Sequence, residues 1–251
     1  MIHYQGLPIT PASSAVAAVS GGHAFVSFAH SDQLGIAIDV CQSFAIDNGA
    51  FSAWKSGKPA TDWKDFLEWS EEISYLPHCD FIVIPDAIDG DLNEQTALIG
   101  RFLQHYGSRG MQVGAPVFHL NEPLDHASYL SMAWSRVCIG SSGEYSEIGT
   151  AKWWNRMNQV MIAMCDSRGR PNCKLHGLRM LDPEIFTKFP FASADSTNIG
   201  RNIGIDSKWK GTYLPPNKDA RALVMRQRIE AFNSANVWDI QPEQQSLLEA
   251  A

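Results

Sequence analysis

What most restricts the fold of this 251-residue chain is an alternation of short β-rich runs with longer segments whose apolar residues recur at helical spacing. The candidate strands are Ile2–Gln5, Ala24–Ala29, Ser43–Asp47, Phe81–Pro85, Ala115–Leu120, Arg136–Ile139, Lys174–Leu178 and Phe191–Asp195. Between them, Trp63, Phe66, Leu67 and Ile73 form one face of a helix opened by Thr61-Asp62. A second face is formed by Trp153, Met157, Val160, Met161 and Met164, and 91–106 and 126–134 read as helices too. Strands separated by helices need crossover connections, hence a parallel sheet. Eight such units close most naturally into a (β/α)8 TIM barrel, with a doubly wound open sheet as the alternative. No internal repeat, low-complexity tract or linker divides the chain, and Pro215-Pro216-Asn217 is a turn before the last helix, so residues 1–251 are expected to form one domain.

Twenty basic against 27 acidic residues give a formal charge of -7, which excludes a global cationic field drawing the protein to nucleic acid; any polyanion must meet a local patch. No apolar run approaches a bilayer span, and Met1-Ile-His-Tyr-Gln5 lacks a signal-peptide pattern, so a soluble cytoplasmic protein without a membrane partner is expected. Five scattered cysteines without a C-x-x-C pair read as reduced thiols packed as small hydrophobes.

A parallel barrel carries its chemistry at the C-terminal ends of its strands. Those ends hold Asp47-Asn48-Gly49, Asp86, His119-Leu120-Asn121, Gly140-Ser-Ser-Gly-Glu144, His176-Gly177 and Asp195. Glycines let a backbone approach a flat ligand closely. Two carboxylates at strand ends, Asp47 and Asp195, suit glycosyl chemistry, one attacking an anomeric carbon while the other moves a proton. Each residue also has a structural role open to it. An Asp after a strand caps helices and turns, His119 and His176 can be satisfied core histidines, and Asp91 before Leu-Asn-Glu fits a helix cap.

Several segments, in order, resemble the tRNA-guanine transglycosylase superfamily, (β/α)8 enzymes that exchange guanine for a 7-deazaguanine in nucleic acid. Ile46-Asp-Asn-Gly-Ala-Phe-Ser52 resembles the segment whose Asp is a general acid/base and whose Phe stacks on the base, which implies those roles for Asp47 and Phe51. Ile84-Pro-Asp-Ala87 is similar to the segment that recognises the guanine edge, implicating Asp86. Val117-Phe-His-Leu120 puts His119 near the family's base-reading Gln, and Cys138-Ile-Gly-Ser-Ser-Gly-Glu144 resembles the loop lining the base pocket, implicating Gly140 and Ser141. Leu175-His-Gly177 has His176 where the family has Met, and Ala194-Asp-Ser-Thr-Asn-Ile-Gly-Arg201 resembles the segment with the nucleophilic Asp, here Asp195, followed by a substrate-contacting Arg, here Arg201.

Members acting on tRNA carry a zinc module of cysteines after the nucleophile, whereas this chain has no Cys beyond Cys173. The resemblance therefore implies no metal and no cofactor, and favours the compact zinc-free members that act on DNA over those acting on tRNA. Its implied partners are nucleic acid and a free 7-deazaguanine base. From Arg201 to Arg228, seven basic residues, including Lys208 and Lys210, face two Asp and no Glu, a local charge of +5 with Trp209 and Tyr213 interspersed. Such a stretch can track phosphates or be a solvated helix face with buried aromatics. Exchange on tRNA, hydrolytic release of a deazapurine and a non-catalytic base-binding barrel subunit are the other functions in view.

Overall fold

The computed structural model describes residues 1–57, 62–88, 91–209 and 212–239. Its nine strands are β1 (Ile2–Gly6), β2 (His23–Ser27), β3 (Ser43–Asp47), β4 (Cys79–Val83), β5 (Gly114–Ala115), β6 (Val117–His119), β7 (Arg136–Gly140), β8 (Lys174–Gly177) and β9 (Ser193–Ser196). They form one parallel sheet in the order β5-β4-β3-β2-β1-β9-β8-β7-β6, a nearly closed barrel surrounded by helices.

Period-two alternation divides the barrel into an inside and an outside. Tyr4, Phe25, Ala45, Phe81, Val83, Ala115, Val117 and Cys138 pack together within it. Their immediate neighbours along the chain, such as Ala24 and Val26, Phe44 and Ile46, or Val137 and Ile139, join the larger core beneath the helices. In the helix Lys64–Ile73 the buried positions are Phe66, Leu67, Ser70 and Ile73, and in Ala151–Met164 they include Trp153, Met157, Val160, Met161 and Met164. Asp91 caps Leu92–Tyr106, its carboxylate accepting from the N–H groups of Asn93 and Glu94 at 2.9 Å. Asp62 accepts from Lys64 N–H at 3.0 Å, while Thr61 lies outside the described residues.

One expected strand is two. Ala115–Leu120 reads as a single strand, but proline has no N–H to donate to a ladder. At Pro116 the chain changes partners, with Gly114–Ala115 pairing with β4 and Val117–His119 with β7. The Pro116 carbonyl still accepts from Cys138 N–H at 2.9 Å. The two ends of the sheet are thus consecutive in sequence, which brings the barrel to near closure. Three further expected strands, Ala24–Ala29, Phe81–Pro85 and Lys174–Leu178, end early, the first where the chain enters a 3-10 turn at Phe28–Gln33. No described helix is long and apolar enough to cross a membrane.

Phe102 is fully buried, stacks on Tyr106 at 4.3 Å between ring centroids, and fills the space beside Gly114, where an added Cβ would lie 2.6 Å from the ring. Phe102→Ala is expected to cost about 3–5 kcal/mol of stability, and Asp91→Ala about 1 kcal/mol through the lost cap. Urea denaturation followed by far-UV circular dichroism checks both.

Candidate active site

A cavity of about 380 Å³ opens at the C-terminal end of the barrel and is lined by Asp47, Phe51, Asp86, His119, Gly140, Ser141, Asp195 and Arg201. Strand parity explains the convergence. Asp47 lies two residues beyond inward-facing Ala45, and His119 two beyond Val117, so both point into the barrel mouth. Asp195 pairs in register with inward-facing Tyr4.

Asp195 is 4% exposed, and its Oδ1 accepts from the main-chain N–H of Arg179 at 2.9 Å. His176 Nε2 lies 3.3 Å from the same oxygen. Unlike the other sequence-derived candidates on these strand ends, His176 does not line the cavity. It is fully buried inside the barrel, where Phe25 stacks on its ring at 5.2 Å and Tyr4 and Phe81 surround it. Its place in the fold is beneath Asp195.

Asp47 sits in a different environment. Its Oδ2 accepts from Gly49 N–H at 3.2 Å, within a turn that Gly49 makes with φ of 80°. Burial pushes the Asp47 carboxyl up to about 7, and the negative charges of Asp195 and Asp86 push in the same direction, against hydrogen bonds from Ser27 and Gly49. One acid in the pair is thus tuned for proton transfer at neutral pH while the other is held by donors.

Asp86 is clamped. Asn48 Nδ2 donates to Asp86 Oδ1 at 2.7 Å and to the Ile84 carbonyl at 2.8 Å, and His119 Nε2 sits 2.9 Å from Asp86 Oδ2. Asn48 Oδ1 in turn accepts from Ala50 N–H at 2.8 Å, tying this clamp to the helix that carries Phe51. Ser141 is anchored from behind, its Oγ accepting from Trp153 Nε1 at 2.9 Å.

Sequence reading missed Arg179, the only non-glycine residue with positive φ (60°) among the described residues. That left-handed backbone aims its N–H at Asp195, and strain of this kind is characteristic of functional sites. Its guanidinium donates from Nη2 to the Ser141 carbonyl at 3.2 Å and lies 4.1 Å over the Phe51 ring. Burial lowers the Arg179 pKa, an effect opposed by the carboxylates of Asp195 and Asp47. A charged residue two positions after the Gly177 strand end was the available signal. Asn48 was equally visible beside Asp47, but its bond to Asp86 depends on how β3 and β4 pair.

Two arginines of the basic stretch are engaged within the fold. Arg221 pairs with Asp206 at 2.8 Å and donates to the carbonyls of Ile203 and Pro215, and Arg226 bonds Glu230 and the Ser20 carbonyl. Trp209 is buried under Arg228, at 4.8 Å, and so offers no open stacking face, whereas Tyr213 is 80% exposed. Arg201 is exposed at the cavity rim. Lys208 belongs to the turn Asp206–Trp209, its side chain lying outside what is described, and Lys210 is outside the described residues altogether.

Among the described residues no group of three or more His, Cys, Asp and Glu is placed to hold a metal ion. No protein-family model matches the chain, and no curated protein matches it.

The raised Asp47 pKa sets a stability test. Between pH 4 and 7 the folded protein keeps a proton that the unfolded chain, with an ordinary carboxyl near 3.8, has released; stability therefore falls as pH rises through this window. Asp47→Asn removes the fall. Its melting temperature should match wild type near pH 4 and exceed it at pH 8, as measured by scanning calorimetry.

Proposed function

We propose that this protein is a base-exchange transglycosylase that replaces guanine in nucleic acid, DNA in preference to tRNA, with a 7-deazaguanine. The observation carrying the reading is that Asp47, its carboxyl raised to about 7, and Asp195, which accepts from the Arg179 main-chain N–H, share one cavity. The cavity size falls in the usual range for small-molecule sites, about 300–1,000 Å³. Counting β5 and β6 as one strand interrupted at Pro116 gives eight strand positions, which supports the (β/α)8 reading and is in keeping with the resemblance in segment order.

In this mechanism Asp195 attacks C1′ of the target nucleoside, forming a C1′–O bond as the glycosidic C–N bond breaks. The leaving guanine takes a proton from Asp47. The incoming base gives a proton back to Asp47, its nitrogen attacks C1′, and the Asp195 carboxylate is released. An Asp47 carboxyl titrating near 7 serves both steps at neutral pH. Asp86, fixed by Asn48 and His119, retains lone pairs to accept from the N–H edge of the base. Phe51 offers its ring face, which Arg179 occupies in this structure, so a stacked base takes the place of that guanidinium or shares the ring with it. A target base in a duplex must be extruded to reach the cavity, at a cost of a few kcal/mol.

Incubation with guanine-containing DNA or RNA and labelled guanine tests the proposal. The expected result is label incorporation and a protein–nucleic acid adduct that survives denaturation and vanishes in Asp195→Ala. Free base without incorporation means hydrolysis, and base binding without turnover means a binding module. The rate should rise or fall around pH 7, and this inflection should be lost in Asp47→Asn. Nucleic acid affinity should weaken steeply with salt, because a protein of charge -7 can hold the backbone only through local cations such as Arg201; a flat dependence in a salt titration contradicts backbone binding.

A further inference from the structure

A column of polar side chains runs through the barrel from its closed end to Asp195. At the start of β4, Asp80 Oδ2 accepts from Tyr4 Oη at 2.6 Å and from Arg136 Nη2 at 2.9 Å. Arg136, at the start of β7 and 4.2 Å over the Phe81 ring, donates from Nη1 to Ser193 Oγ at 2.9 Å. Ser193 Oγ lies 2.8 Å from His176 Nδ1, and His176 Nε2 lies 3.3 Å from Asp195 Oδ1. Arg136, Ser193, His176 and Asp195 are each less than a tenth exposed.

The carboxylate at the top of this column selects the proton positions along it. A guanidinium has no lone pair to offer, so Ser193 Oγ accepts from Arg136, and with one proton and a second lone pair left it can either donate to His176 Nδ1 or accept from it. The other ring nitrogen decides: Nε2 faces the Asp195 carboxylate, and the tautomer without a proton there aims a nitrogen lone pair at a carboxylate inside a closed barrel. The ring proton therefore sits on Nε2, and Nδ1 accepts from the Ser193 hydroxyl. Burial lowers the His176 pKa, an effect opposed by Asp195 and Asp80 and reinforced by Arg136, and this favours a neutral ring.

We infer that His176 is a positioning residue for Asp195, held as the neutral Nε2–H tautomer by Ser193 and Arg136 and donating to Oδ1. With the Arg179 N–H also on Oδ1, both donors fall on one oxygen, and Oδ2 is the atom left to form the bond to C1′. The 3.3 Å contact lacks the geometry of a finished hydrogen bond and tightens in the reacting complex. The role in catalysis rests on the transglycosylase reading; the tautomer does not.

Two measurements separate them. Nitrogen-15 NMR of the full chain should give a proton-bearing Nε2 and a bare Nδ1 for His176 from pH 6 to 8; a protonated Nδ1, or an imidazolium, overturns the inference. Single-turnover trapping should show adduct formation slowed about 100-fold in His176→Phe, with the dissociation constant for free guanine unchanged. An unchanged rate overturns the inference. If His176→Phe fails to fold, Ser193→Ala replaces it, leaving the ring in place. That variant should give a tautomer mixture and adduct formation slowed about 10-fold, while wild-type nitrogen shifts and rate contradict the proposal. A wild-type protein that forms no adduct refutes the base-exchange reading, and the nitrogen shifts still decide the tautomer.

Discussion

Everything at the mouth of this barrel depends on side-chain parity in its parallel strands. Successive residues of a strand face opposite ways, so a side chain within a strand reaches the cavity when it lies an even number of residues from an apolar side chain in the interior, whereas Asp86 enters from the loop beyond β4. Ala45 and Asp47 satisfy this in β3, and Val117 and His119 in β6. A slip of one residue would turn Asp47 outward into the layer where Phe44 and Ile46 pack under helices. The same interior layer, with Tyr4, Phe25 and Phe81 closing on His176, blocks the lower barrel and confines the open volume to the strand ends.

From that shared position the two acids diverge because their neighbours differ. Asp195 receives the Arg179 amide directly and faces the edge of His176. The Asp47 carboxyl is raised to about 7 by burial first and then by the charges of Asp195 and Asp86, against its bonds from Ser27 and Gly49. The same functional group thus meets two different environments, as the proposed roles of nucleophile and proton carrier require.

The sequence exposes strand ends, helix faces and caps, because these follow from local spacing and composition: β3 matches its expected limits, and Asp91 is the cap its neighbours suggested. It also brings Asp47, Asp86, His119 and Asp195 to one rim, since a parallel barrel leaves strand ends no other place to go. What it conceals depends on tertiary partners. The switch at Pro116 needs to know which strands lie on either side. The Asn48–Asp86 bond needs the pairing of β3 with β4, and the Arg179 contribution needs a left-handed backbone that no residue type there announces. Charge counting between Arg201 and Arg228 misleads for a related reason. Arg221 and Arg226 spend their donors on carbonyls and carboxylates of the fold, so composition overstates the cations free to meet a ligand.

The polar column inside the barrel is the hardest feature to explain by stability. Buried ion pairs lose as much in desolvation as they gain from attraction, and well-packed apolar side chains of similar volume serve a core equally well. Eight interior positions of this barrel, among them Phe25, Val83 and Val117, carry apolar or aromatic side chains that pack together. Yet Arg136 and Ser193 stand at two of the remaining inward places, with Asp80 at the lower rim, and each is hydrogen-bonded so that no charge is left alone. Such a column has a use if its upper end must stay fixed. The ring of His176 cannot rotate without breaking the bond to Ser193, and Ser193 is held in turn by Arg136. Rigidity at the closed end of the barrel is thereby carried to a carboxylate at the open end, where displacement of about 1 Å can cost a reaction about 100-fold.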